Sequence, residues 1–452
     1  MKSTKSCRTI FSFSDSHVID SFESSGSRLY KSTHGKCKCR TCFRFIESMK
    51  TTIKLITVTL MLITTSFLFS TVPVAPSNYS DSDAGTSGNP YLISSLGNLR
   101  WLSETPEAWG SREQRFYFLQ TVDIDATDTK NWNNGEGFRP IAMFVRDLAE
   151  VLEGEAIDTQ FYGSYNGNNH TIKNIYMNYK YDGKFKFVGL FATVYSANLS
   201  NIRLENIRIY SDYRTGGLVG AAMSSTIENS SISGVITVGE KAEIVGGLVG
   251  PAANSKITAC FSTVIIDGED YVAFPEHPNP FPGSLGGLVG NMINSSLSNS
   301  FFNGEIRRIA FVSGGLVGSA ANSIIENCFV TTKGGLHEII FYWDISDMQE
   351  TNPRSPDTMH VMFGAIAGNI SSGSSLVNVF WDRDTTGLRR AAFWPRSKFG
   401  TADRSVRGSR GVTTAQMKRA TTFTRRGWDF ENIWDIDPNI NDGYPFLRGA
   451  RF

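Results

Sequence analysis

The sequence has almost no charge imbalance: 44 Lys and Arg stand against 43 Asp and Glu, a net charge of +1. A nucleic-acid binder carries a basic stripe, so this balance argues against nucleic acid as a partner. Cysteine is scarce beyond residue 42, where only Cys260 and Cys328 remain of six. No apolar run follows the one ending at Phe69 that could serve as a second span, and no cell-wall sorting motif or appended secretion domain is seen. Catalytic signatures are missing as well. No Gly-x-Ser-x-Gly elbow, phosphate loop or dinucleotide fingerprint stands in a strand–turn–helix context. His337-Glu338-Ile339-Ile340-Phe341 opens like a zinc-protease helix, but Phe341 replaces the second imidazole needed at i+4. Asp435-Ile436-Asp437-Pro438-Asn439 opens like a calcium loop, yet Ile440 replaces the turn glycine and Phe446 the bidentate glutamate. No metal and no cofactor is expected.

Glycine, by contrast, is in excess at 42 residues, and much of it is periodic. Gly-Gly-Leu-Val-Gly occurs four times: Gly216, Gly217, Leu218 and Gly220; Gly246, Gly247, Leu248 and Gly250; Gly286, Gly287, Leu288 and Gly290; Gly314, Gly315, Leu316 and Gly318. Weaker copies stand at Val188–Ala192 and Gly364–Gly368. Eleven residues after the first glycine comes an aliphatic residue (Ile227, Ile257, Leu297, Ile325), and three further on a small one (Ser230, Cys260, Ser300, Cys328). Asn229, Asn299 and Asn327 precede the small residue in three copies, and Phe261, Phe301 and Phe329 follow it in three.

Each unit reads as short strands with alternating apolar positions, separated by Gly, Ser and Asn. None could bury its own apolar face. Coiling the chain so that each turn pairs with the next, ~4.8 Å away, stacks like residues inside. The glycine pairs suit corners where a Cβ would clash or φ is positive, and Asn tolerates the same corners and can form ladders. The expected fold is all-β: a right-handed parallel β-helix, a pectin-lyase-like solenoid with N- and C-terminal caps. A disordered Gly/Ser-rich segment is disfavoured because each unit supplies large apolar residues at fixed phase. A β-sandwich would need the periodicity to be coincidence.

These units resemble the GLUG motif of bacterial surface and secreted proteins, among them adhesin-like and filamentous haemagglutinin-like proteins and the non-catalytic part of some immunoglobulin A peptidases. Phe161–Ile172 is similar to the opening coil of such proteins. Trp428-Asp429-Phe430, Trp434 and Gly443–Leu447 are similar to their ending. The resemblance covers roughly Pro90 to Leu447 and implies architecture, not activity.

The organisation expected along the chain follows. Residues 1–48 are Ser-, Lys- and Arg-rich and lie upstream of what looks like the true start, Met49. Their Cys37, Cys39 and Cys42 lack the second pair a zinc finger needs. Residues 49–75 show a short basic region, an apolar run from Leu55 to Phe69 and small residues up to Ala75, the plan of a signal peptide, although Pro73 fits a cleavage site poorly. An uncleaved segment would be the only membrane contact. A linker at 76–89, a cap at 90–160, coils at 161–387 and a closing cap at 388–452 complete the reading. Met417, Phe423, Trp428, Phe430, Trp434 and Tyr444 are expected to cover the last coil.

Two intervals are long, at Gly268–Ser284 and Gly335–His360, and both leave the solenoid at one phase, the side that often binds. The first carries Tyr271, Phe274, His277 and Phe281; the second His337, Phe341, Tyr342, Trp343, Asp344, Asp347 and His360. Aromatics beside carboxylates suit stacking on sugar rings, and they could equally pack the loops onto the coil. The expected function is a secreted or cell-surface, adhesin-like, non-catalytic scaffold engaging glycans or surface proteins. The alternative, a polysaccharide lyase or hydrolase, needs clustered carboxylates on adjacent coils. No acidic column stands at constant phase, so Asp344 and Asp347 would be the first acids to test. Cys260 and Cys328 are expected to stay free, since two coil spacings, ~9.6 Å, exceed the ~7 Å disulfide limit.

Overall fold

A computed structural model describes residues 72–143, 146–147, 159–239, 241–268, 283–307, 312–332, 362–371, 373–392 and 408–450. The expected upstream segment and all but the last residues of the expected signal peptide lie outside them.

The chain is a parallel β-helix. Among the described residues six successive coils contribute short strands to four sheets, earlier windings extend two of these sheets, and neighbouring coils pair in parallel. One coil runs through Arg214–Gly216, Val219–Met223, Thr226–Glu228 and Ser231–Val238, and each strand pairs with its counterpart in the next coil. Leu218, Leu248, Leu288 and Leu316 form one interior file with no solvent exposure. The Leu218 amide donates to the Leu248 carbonyl, Leu248 to Leu288, Leu288 to Leu316 and Leu316 to Ile366, each at 2.9 Å. Burying each such side chain contributes about 1.5–3 kcal/mol.

The two glycine roles proposed from sequence separate. The repeat glycines stand where there is no room, not where φ is positive. A Cβ at Gly246 would lie 2.6 Å from the Gly290 nitrogen, at Gly286 2.7 Å from that of Gly318, and at Gly314 2.6 Å from that of Gly368. The first glycine of one coil thus faces the last glycine of the next. Asparagine takes the left-handed corners instead. Asn201, Asn229, Asn299, Asn327 and Asn378, with Ala259 in the same column, have φ between 48° and 54°. Asn tolerates that region better than other side-chain-bearing residues. A second such corner carries Asn254, Asn294 and Asn322. Just after it, Ser225, Ser255, Ser295, Ser323 and Ser374 are buried, and the hydroxyl of each accepts the amide of its counterpart in the preceding coil at 3.0–3.1 Å. This serine ladder satisfies backbone donors that the corner would otherwise leave unpaired. Cys260 and Cys328 are free and buried in the small-residue column, with Ser300 between them.

At the N-terminal end, α1 (Leu96–Glu104) starts at Ser95, whose hydroxyl accepts the Asn98 amide. Residues 76–89, read from composition as a linker, are mostly exposed but are tied to the fold through Asn78. Asn78 donates to the Asn89 side chain and the Pro90 carbonyl and accepts the Leu92 amide. The Asn98 side chain donates to the carbonyls of Val74 and Ala75.

The closing segment also differs in placement. The sequence suggests a lid on the last coil, whereas the aromatic residues lie along the outer face of one sheet. Phe261, Phe301 and Phe329 point outward and stack at 4.9 and 4.8 Å. Phe380, Met417, Phe423, Trp428, Trp434 and Tyr444 join them in a second apolar cluster outside the coil. Arg203, on an early coil, donates to the Gly449 carbonyl, and Asn303 to the Asn441 side chain. The segment therefore runs back across several coils. Among the described residues no helix is long and apolar enough to cross a membrane.

Candidate functional site

Both long intervals fall at one corner of the solenoid, as the flanking strands show. Gly268 ends a strand and Ser284 begins the next; Thr332 and Met362 bracket the second interval in the same way. Tyr271, Phe274, His277, Phe281, His337, Phe341, Tyr342, Trp343, Asp344, Asp347 and His360 lie outside the described residues. What is described is the same corner on the preceding coils.

There the turns at residues 180–186, 212–214 and 241–243 surround a hollow of about 270 Å³. Tyr181 is 46% exposed. Lys241 Nζ sits 4.0 Å from the centre of its ring, and Tyr213 lies 5.9 Å from it on the inner side. Asp182 ties together two of the lining residues, Tyr213 and Lys186. Tyr213 donates its hydroxyl to Asp182 Oδ1 at 2.8 Å, and Lys186 donates to Oδ2 at 2.7 Å. Lys186 is 5% exposed and lies within reach of the Tyr179 and Tyr213 rings, at 5.7 and 5.4 Å. Burying an ammonium needs such pairing. Arg214 pairs with Glu243 on the rim. The first interval returns beside that pair, since Ser284 donates its amide to the Glu243 carbonyl at 2.8 Å.

The electrostatics favour holding over proton transfer. Burial raises the Asp182 carboxyl, but the bonds from Lys186 and Tyr213 outweigh it and hold the group down at about 2. Burial, then the bond to Asp182, pushes the Tyr213 hydroxyl up. At neutral pH the carboxylate stays ionised and the phenol protonated, far from the matched values that general acid–base work requires. An exposed ring with a cation over it, beside an Arg–Glu pair, can stack on a planar or sugar face and hydrogen-bond its edge. Sequence reading missed these residues. Their only signal is the repetition of Tyr with Asp in Tyr181-Asp182 and Asp212-Tyr213 at the turn that later lengthens.

The calcium-like stretch has its carboxylates committed elsewhere: Asp435 pairs with Arg448 at 2.9 Å, and Asp437 accepts the Asn439 amide. Among the described residues no group of three or more metal-ligating side chains forms.

Residues 211–238, one whole coil, match the family described as the GLUG motif. The chain is a GLUG-containing repeat protein. It is 30% identical over 166 residues to Halomucin of Haloquadratum walsbyi, 37% of this chain and 2% of that protein. It is 37% identical over 84 residues to a candidate Gly-rich membrane protein of Evansella cellulosilytica, 19% of this chain and 8% of that one. The GLUG chain therefore spans only a small part of the curated relatives it matches. Among solved structures, a candidate immunoglobulin A1 protease from Bacteroides ovatus superposes with a TM-score of 0.50 at 17% identity, over 81% of this chain and 94% of that one. At that identity the likeness concerns the β-helix alone. The GLUG coil places its motif at the corner between the first two strands, opposite in role to the turn that carries the long intervals: one closes the core, the other faces outward.

Proposed function

We propose that this chain is a secreted or surface-displayed binding scaffold whose ligand, a glycan or a surface protein, docks on the corner carrying the long intervals. The observation that carries the reading is convergence. Two intervals whose sequence is rich in aromatics fall at one phase, and the same phase on earlier coils presents Tyr181 and Lys241 around an open hollow. The names of Halomucin and of the Gly-rich membrane protein, and the fold shared with the Bacteroides ovatus protein, support a place at the cell surface or outside the cell.

The test is a glycan and protein array probed with the full chain, read for binding and for release of reducing ends. Binding that weakens in Tyr181→Ala and Lys241→Ala, and on deletion of 269–282, supports the scaffold. Release that disappears in Asp344→Ala or Asp347→Ala would replace it with an enzyme.

A further inference from the structure

The near-zero net charge conceals a local excess. From Gly408 to Trp428 the chain carries Arg410, Lys418, Arg419, Arg425 and Arg426 and no Asp or Glu, a net +5 within a chain whose total is +1. The fold gathers four of these around one hollow. Arg410 lies on Ser409–Val412, the strand that ends its sheet, in register with Phe380. Past that strand the chain turns through two short helices, α3 (Thr414–Met417) and α4 (Ala420–Thr424), numbered after α2 (Arg383–Thr386). Arg410, Arg419, Arg425 and Arg426, with Gln416 and Thr422, line a hollow of about 430 Å³ that also touches Phe380 and Val412.

The nearby acids are used elsewhere. Asp382 accepts from Tyr444 and Thr414 at 2.8 and 2.7 Å, and Asp384 accepts the Thr414 amide. Among the described residues none of the four arginines is paired with a carboxylate. Protection of an open sheet edge by charge would explain Arg410 alone. It does not explain why Arg419, before the second short helix, and Arg425 and Arg426, directly after it, line the same space.

We infer that this hollow is a binding site for an acidic polysaccharide, with the arginine forks gripping carboxylate or sulfate groups. Guanidinium presents a fixed planar pair of donors that matches such oxyanions two bonds at a time. The Gln416 side-chain oxygen accepts the Thr413 amide and the Thr422 hydroxyl donates to the Gln416 carbonyl, which fixes the wall between the arginines, and the volume falls within the range of small-molecule sites. Single-stranded nucleic acid would require exposed rings on which bases stack. The rings here, Phe380, Phe423 and Trp428, are buried in the apolar cluster beneath. The site lies on the last strand of its sheet, several coils beyond Tyr181 and Lys241, so it stands independently of the scaffold's interval-bearing corner.

The full chain is titrated with polygalacturonate, dextran sulfate, neutral dextran and a single-stranded DNA of matched charge, at about 0.15 M and 0.5 M salt. Expected is binding to one or both acidic polysaccharides, none to neutral dextran, and weaker binding at the higher salt. Preference between the two names carboxylate or sulfate as the group held. Arg419→Ala with Arg425→Ala should weaken binding at least about tenfold with unchanged melting, since both side chains are exposed. Arg425→Lys should lose part of it despite equal charge. Tyr181→Ala should leave it untouched. Full retention in the double variant, or equal affinity for the DNA, would overturn the assignment; loss only in Tyr181→Ala would transfer the ligand to the other corner.

Discussion

Phe301 and Phe302 are neighbours in sequence, both fully buried, and they belong to two different cores. Phe302 fills the interior against Gly287, while Phe301 stacks outside between Phe261 and Phe329 under the closing segment. A strand sends successive side chains to opposite faces, so one step along the chain changes what each phenylalanine supports.

Phe301→Ala and Phe302→Ala should each cost about 3–5 kcal/mol. Their local signatures should differ. Hydrogen exchange in Phe301→Ala is expected to accelerate around Trp434 and Tyr444, which pack on the outer file. In Phe302→Ala the gain should centre on the coil interior. Equal exchange at Trp434 in both variants would show that the outer file does not anchor the segment.

Gly246→Ala should destabilise at the upper end of overpacking, about 3 kcal/mol, because its Cβ would meet the backbone of Val249 and Gly290, which cannot move aside. Gly88→Ala, with open space around it, is the control and should melt like the parent. A Gly246→Ala protein melting at the parental temperature would mean the coils can spread there.

Ala259 occupies a left-handed corner that asparagine holds in five other coils. Ala259→Asn should raise stability by up to about 1 kcal/mol, by easing the backbone cost and extending the side-chain column. Denaturant unfolding reads the change. A lower midpoint would show that the closing segment leaves no space for the amide.

Burial pushes the Cys260 thiol up to about 12 and raises Cys328 as well. Neither should react with a thiol reagent in the native protein, and both should react once it unfolds. Cys328→Ser should cost no more than about 1 kcal/mol, because Ser300 fills the equivalent place and donates to the Ser298 carbonyl at 2.7 Å.

Asp182 has its folded value lowered to about 2 from an ordinary 3.8. Its contribution is therefore fully present above about pH 4 and is lost as pH falls toward 2. The carboxylate is 45% exposed, so solvent screening keeps the effect modest. Asp182→Asn should lower the melting temperature at pH 7, and the gap to the parent should narrow between pH 4 and 2. A gap that does not change with pH would remove the ion pair from the account.

The coil was legible in the sequence because its cause is local and repeated. Leu218, Leu248, Leu288 and Leu316 recur at one phase, and only stacked windings let all four avoid water. The course of the closing segment was not legible. Its aromatic content announced a cover, but nothing in the order of Phe423, Trp428 and Trp434 says which surface they cover. That information lies in the parity of Phe261, Phe301 and Phe329, more than 90 residues upstream. The hollow at Tyr181 was missed for a related reason: Asp182, Tyr213 and Lys241 come from successive coils and meet only when the windings are in register. The four arginines were masked by arithmetic, since acids elsewhere cancel them in the total.

A solenoid whose coils touch only their neighbours can unravel from either end, one winding at a time. The return of the chain from Val412 to Gly449 along the flank changes that, because Arg203, Asn303 and Phe380 are all tied to one strip of polypeptide. Fraying of a terminal winding must also peel the strip from windings still intact. Mechanical pulling on the ends should then meet a single large resistance in place of a staircase of small ones.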